Sequence, residues 1–193
     1  MLKEILDDVY LNFRFSRSQL DSRGNKFEGW GIGQNKGNYK YDPPLGWIGI
    51  GLKVIGMYGD DAWIGNTYSK REWAVAYHGV GRGQSSEEIK RIIGIIIKGG
   101  FRQGYNQVHE DCPDINHPGK NVGKGVFFSS SIKTAEMYAG IIKINEQKYK
   151  TILMVRVKPN AIRKCNCLFN DELFVVNGTV DEVRPYRILF KPN

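Results

Sequence analysis

Cysteine is scarce in this 193-residue chain: Cys112, Cys165 and Cys167 are the whole complement. An odd count with a C-x-C pair is no disulfide framework, so ordinary thiols are expected. Histidine is equally scarce, at three residues. Only His109 and His117 lie near a cysteine, at spacings unlike those of zinc sites, and no metal is expected. Long hydrophobic runs are missing as well. The greasiest stretch, Ile92 to Ile97, contains Gly94 and falls far short of the roughly 18 apolar residues of a membrane span. The opening MLKEILDDVYLNF carries acids and no apolar core, so it does not read as a signal peptide. There is no internal repeat and no low-complexity segment. Gly79-Val80-Gly81-Arg82-Gly83 has neither the spacing nor the acidic partner of a dinucleotide-binding fingerprint, which argues against a Rossmann site.

What is present is an ordinary globular composition, 41% hydrophobic and 25% charged, at a length suited to one domain with a real core. The formal net charge is +8, and the excess is uneven. Residues 1–70 hold nine Lys/Arg against eight acids, and residues 71–193 hold nineteen against twelve. A basic surface of this kind favours phosphate-bearing partners. The expectation is a soluble monomer, cytoplasmic or nuclear with secretion left open, and with no membrane partner.

Residues 1–13 can form a short amphipathic helix. Residues 21–51 are rich in glycine and aromatics and read as turns and short strands. Trp73 to His78 is an apolar run ending at Gly79, a buried strand. Ser85, with Glu88 three residues on, caps a helix whose Ile89, Ile92, Ile93, Ile96 and Ile97 recur at helical spacing until Gly99-Gly100 stops it. Residues 101–122 are loop-like. Gly125 to Phe128 reads as a strand and Ser131 to Ala139 as a short helix, with Ile132, Ala135 and Tyr138 on one face. Thr151 to Val157 is a central strand. Leu173 to Val176 and Val183 to Phe190 are two late strands, with Pro185 where proline is tolerated. Strands and helices do not alternate regularly, which gives an α+β class.

Three places combine residue types that can carry chemistry: His78-Gly79 at a strand end; Gly123-Lys124-Gly125-Val126-Phe127-Phe128-Ser129 with the helix bearing Ala135 and Tyr138; and Glu172 before the apolar strand. Each alone has a plain structural explanation. In this order they resemble the ADP-ribosyltransferases of the diphtheria-toxin and poly(ADP-ribose) polymerase type, over roughly residues 73–190. That family carries a strand ending in His-Gly, then a Gly-x-Gly-Val-Tyr-Phe-like strand with a second Tyr eleven residues on, then a Glu before a core strand. Phe127 and Tyr138 keep the eleven-residue step. Two positions depart from the pattern: Phe127 stands where the family usually has Tyr, and Ala135 where many members have Ser. The segment 41–58, Glu72-Trp73 and Arg184-Pro185-Tyr186 are similar to stretches of small eukaryotic proteins with the same core. A relation to guanine-specific DNA ADP-ribosyltransferases is also suggested.

The resemblance implies an ADP-ribosyltransferase-like split antiparallel sheet with short helices, residues 71–193 forming the NAD-binding core and residues 1–70 an extension packed on it. It implies NAD as co-substrate and transfer of ADP-ribose to a macromolecule, either nucleic acid or protein, with release of nicotinamide. Phe127 and Tyr138 would hold the flat nicotinamide between ring faces, with Phe128 and Ser129 nearby. Gly79 would approach its amide, and His78 would bond the adenosine ribose. Glu172, preferred over Glu182, would stabilise a cation-like sugar. Ser129, Ser130 and Ser131 are candidates for the hydroxyl that Ala135 lacks. Trp47 and Trp63 are either core residues or an exposed lip that stacks an acceptor base. Competing readings are an NAD glycohydrolase, an inactive reader of NAD or ADP-ribose, and a plain RNA-binding domain.

Overall fold

The computed structural model describes residues 2–13, 16–26, 35–65, 71–103, 109–168 and 171–193. They form a mixed α+β fold with three α-helices and eight β-strands. The strands are β1 (Ile48–Gly51), β2 (Ala74–Gly79), β3 (Val126–Ser129), β4 (Ile141–Ile144), β5 (Gln147–Val157), β6 (Arg163–Leu168), β7 (Asp171–Val176) and β8 (Val183–Pro192). The helices are α1 (Leu2–Asn12), α2 (Ser86–Gly99) and α3 (Ile132–Glu136). Every strand pair is antiparallel, in the order β1-β8-β5-β2-β3-β7-β6, with β4 added to β5.

The apolar runs set the centre of the sheet. Thr151 to Val157 is buried at every position, as expected of a strand covered on both faces. It pairs with β2 on one side and β8 on the other. The β5–β8 register slips by one at Met154/Val155, so that Tyr186 lies between the paired Arg187 and Pro185. A bulge is where a sheet accepts proline. The freed Tyr186 carbonyl receives Leu52 N–H at 2.9 Å.

Helix α2 begins as its sequence dictates. Ser85 accepts a hydrogen bond from Glu88 N–H at 3.2 Å. Ile89, Ile93 and Ile96 turn inward, and Gly100 ends the helix at φ 78°. That left-handed conformation is easy for glycine alone. Helix α1 buries Ile5 and Val9, one turn apart, with Phe13 beyond them. Its Asp8 meets Lys90 of α2 at 2.8 Å, and the Phe13 ring packs edge-on against Phe190.

Two strands and a disulfide run against the sequence expectations. Ile141–Ile144 and Arg163–Leu168 are strands that the apolar pattern did not flag. The first folds back on β5 through Asn145, which takes the left-handed conformation that asparagine tolerates. Cys112 is disulfide-bonded, whereas three plain thiols were expected. The odd count excluded only complete pairing; Cys165 remains a buried thiol.

The segment before β2 is tied in by buried charge. Glu72 is fully buried, with Oε1 3.2 Å from both Lys36 Nζ and Arg156 Nη1. Arg156 also donates to the carbonyls of Trp73 at 2.7 Å and Ile64 at 3.1 Å. Removing one partner of such a cluster strands the others without water. Glu72→Gln is therefore expected to lower unfolding stability by about 3–5 kcal/mol, read as a drop in the urea midpoint. An unchanged midpoint would show the cluster to be solvated.

Candidate functional site

The sheet nearly divides between β2 and β3. Tyr77 and Ser129 are the one Cα pair that joins them. Continuing that register would set Gly79 opposite Phe127, but the strands part first. The Phe127 carbonyl instead meets Nδ1 of the half-buried His78 at 2.9 Å. A carbonyl can only accept, so Nδ1 carries the proton and the neutral ring keeps its lone pair on Nε2. Burial depresses the His78 pKa below its ordinary 6.5, against the smaller upward pull of the Phe127 carbonyl. Phe101 and Phe128 pack against the imidazole at centroid distances of 5.1 and 5.3 Å.

A cavity of about 440 Å³ fills the gap, within the usual range of small-molecule pockets. His78, Gly79, Phe127, Phe128, Ser129 and Tyr138 all line it. Residues up to 60 positions apart, singled out from the sequence, thus share one wall. Their parts differ from expectation in detail. A side chain on Gly79 would run into the Ala135 carbonyl and lie 2.7 Å from the Tyr138 carbonyl carbon. Glycine is needed there for α3 to close on β2, which brings Tyr138 to the rim. Phe128 is only 1% exposed and backs the imidazole. Ser129 is buried, and its hydroxyl accepts Ser131 N–H at 3.0 Å. The Ser130 carbonyl takes Asp42 N–H.

Three lining residues were missed from the sequence. His109 puts Nε2 3.3 Å from the Tyr138 hydroxyl and its ring 5.8 Å from that of Phe127. Burial lowers its pKa, and burial raises that of Tyr138, which stays a protonated phenol. Arg102 adds a cation. Both stand in the polar stretch 101–122, where no periodicity marks any position. Thr134 also lines the cavity, one residue before Ala135.

Glu172 stands in β7 immediately before Leu173, which lines the cavity and pairs with Ser129. Its side chain lies outside the described residues. Glu182 belongs elsewhere. Its carboxylate accepts Asn177 N–H at 2.7 Å and the Asn177 amide at 2.9 Å. It precedes Val183, which pairs with Val157 and so sits at the Ala74 end of β2, far from His78. Of the two readings of Trp47 and Trp63, the core holds and the exposed lip does not: each is 2% exposed.

The chain matches no protein-family model and no curated protein.

Because the folded protein holds His78 and His109 less basic than the unfolded chain does, the unfolded state binds more protons below about pH 6.5. The stability these residues contribute is present above that pH and lost as pH falls. The thermal midpoint should drop between pH 7.5 and 5, and His78→Gln should shallow that slope. An equal slope in the variant would place the titration elsewhere. Gly79→Ala should lower the midpoint by several degrees through displacement of α3.

Proposed function

We propose that the chain is an NAD-dependent mono-ADP-ribosyltransferase, built as a split antiparallel sheet whose cleft takes the dinucleotide. The observation that carries the reading is the convergence of His78, Gly79, Phe127 and Tyr138 on one cavity at the parting of β2 and β3. These four are the positions that the family resemblance assigns to NAD.

The side chains have properties suited to that substrate. Phe127 and Tyr138 offer ring faces to a flat, electron-poor nicotinamide. The His109 imidazole borders the same space, its ring 5.8 Å from that of Phe127 and its Nε2 3.3 Å from the Tyr138 hydroxyl. His78 has its Nδ1 proton committed to the Phe127 carbonyl. Its Nε2 is thereby an acceptor for a ribose hydroxyl. Cleavage of the nicotinamide–ribose bond sends the bonding pair to the pyridinium nitrogen, which leaves neutral. The cation-like C1′ is then captured by a lone pair of the acceptor. Glu172 is the proposed carboxylate. It bonds the ribose hydroxyl, stabilises the positive sugar and takes the proton of the incoming nucleophile.

The net charge of +8 favours a nucleic-acid acceptor through attraction to its phosphates; a protein side chain is the other acceptor class. Among the described residues no helix is long and apolar enough to cross a membrane. The disulfide at Cys112 weighs toward an oxidising compartment rather than cytosol or nucleus.

Labelled NAD incubated with DNA, RNA and protein pools tests the reading. One pool should become labelled, and Glu172→Gln should reduce the rate by about 10²–10⁴-fold. Tyr138→Ala should raise KM for NAD by about tenfold or more, through loss of a stacking face. Nicotinamide release without any labelled macromolecule would make the protein a glycohydrolase. Saturable NAD binding with no turnover would make it a reader.

A further inference from the structure

A second cavity, of about 460 Å³, opens at the other end of β2. Its wall holds Trp73, just before β2, and Lys158, just after Val157, which pairs with Ala74. Tyr77, which lines the first cavity, is four residues along from Trp73, so these two wall residues stand about 13 Å apart along the strand.

Three cations converge on this space: Arg71, Lys158 and Arg184. Arg184 is only 8% exposed, and its guanidinium is held among three rings, 4.3 Å from those of Tyr58 and Trp73 and 5.0 Å from Trp63. Its Nε donates to the Val180 carbonyl at 2.8 Å, and no acceptor among the described residues meets its Nη atoms. Arg71 and Lys158 form no ion pair among the described residues. One acid, Asp60, stands in the wall; its carboxylate accepts Ala62 N–H at 2.8 Å and, with Asp181, offsets part of the Arg184 charge, which leaves the three cations in excess. A buried, ring-clamped guanidinium whose fork meets no acceptor among the described residues, flanked by two cations with no ion pair among them, is a constellation for an anion of more than one charge.

We infer that this cavity binds the phosphate of a nucleotide unit, with Arg184 as the fixed donor and Arg71 and Lys158 as the flanking charges. A carboxylate would leave two of the three cations unmatched, whereas a phosphate presents oxygens to all of them. The cavity is far larger than one phosphate. The edge of the half-buried Tyr58 ring and the exposed Asn160 amide border the remainder, where a sugar and base fit. The site is independent of the NAD cleft and stands whether or not the chain cleaves NAD.

The test is calorimetric titration of the full chain with uridine 5′-monophosphate and with uridine, alongside two double variants. Arg71→Gln/Lys158→Gln removes two cavity charges; Lys98→Gln/Lys120→Gln removes two exposed charges elsewhere. The expected result is saturable binding of the monophosphate, about tenfold or more tighter than the nucleoside. It should weaken by about tenfold in the first variant and stay nearly constant in the second. Equal binding of nucleoside and monophosphate overturns the proposal, as does equal weakening in both variants. Arg184→Lys, which keeps the charge and loses the fork, should weaken binding while the thermal midpoint reports on folding. An oligouridylate without a terminal phosphate distinguishes the source. Binding with the same variant dependence assigns a backbone diester, and binding only after 5′-phosphorylation assigns a terminal monoester.

Discussion

The junction between β2 and β3 is the constraint on which the candidate site depends. A sheet gains from pairing every residue of neighbouring strands, yet here the ladder stops after Tyr77 and Ser129. Both strands are otherwise fully committed. β2 pairs with β5 along its whole length, and β3 pairs with β7 at all four positions. Neither edge left at the gap can remain both apolar and unpaired, because buried backbone groups require partners. His78 resolves part of this by donating from its ring to the Phe127 carbonyl, so a side chain does what a main-chain amide would have done. The imidazole is thereby fixed in orientation and tautomer before any ligand arrives, which is the kind of preorganisation a binding site needs.

The same junction explains why the glycine matters. With a side chain at position 79, α3 could not approach β2, since its own backbone occupies that volume. Tyr138 would then be carried away from Phe127. One missing Cβ sets the width of the cleft, and the desolvated ionic cluster around Glu72 holds the opposite end of β2 to the segments at residues 36 and 64. The strand is anchored at its start and parted at its end.

Much of this was legible in the sequence because burial and periodicity write it there. The helix from Ser85, the strand Thr151–Val157 and the inward face of α1 follow from the spacing of apolar residues alone. Convergence of His78, Phe127 and Tyr138 was legible only through the order of motifs, since no local pattern brings residue 78 beside residue 127. The strands β4 and β6 escaped for opposite reasons. Ile141–Ile144 is too short to separate from the helix end before it, and Arg163–Leu168 carries Arg, Lys and Asn on an edge strand beside β7. His109 and Arg102 stand in a stretch without periodicity, and their placement is a product of tertiary structure. The partial disulfide was missed because parity was applied to the whole set, although two of three cysteines can pair and leave the third buried.

The two cavities lie at opposite ends of β2 and cannot share a single small ligand. Between Trp73 and His78 the β2 side chains are buried, and the ladder to β5 has no gap. Coupling by a rigid shift of β2 would break six consecutive pairs, so the ends are expected to bind independently. One molecule touching both walls must therefore span about 13 Å along the strand, which a nucleic-acid strand covers in about four nucleotides. The cations of the far cavity would then anchor such a strand while a base is presented near the cleft. On the proposed reading, that arrangement would give three of the basic residues of 71–193 a specific task, in place of a diffuse attraction to phosphate.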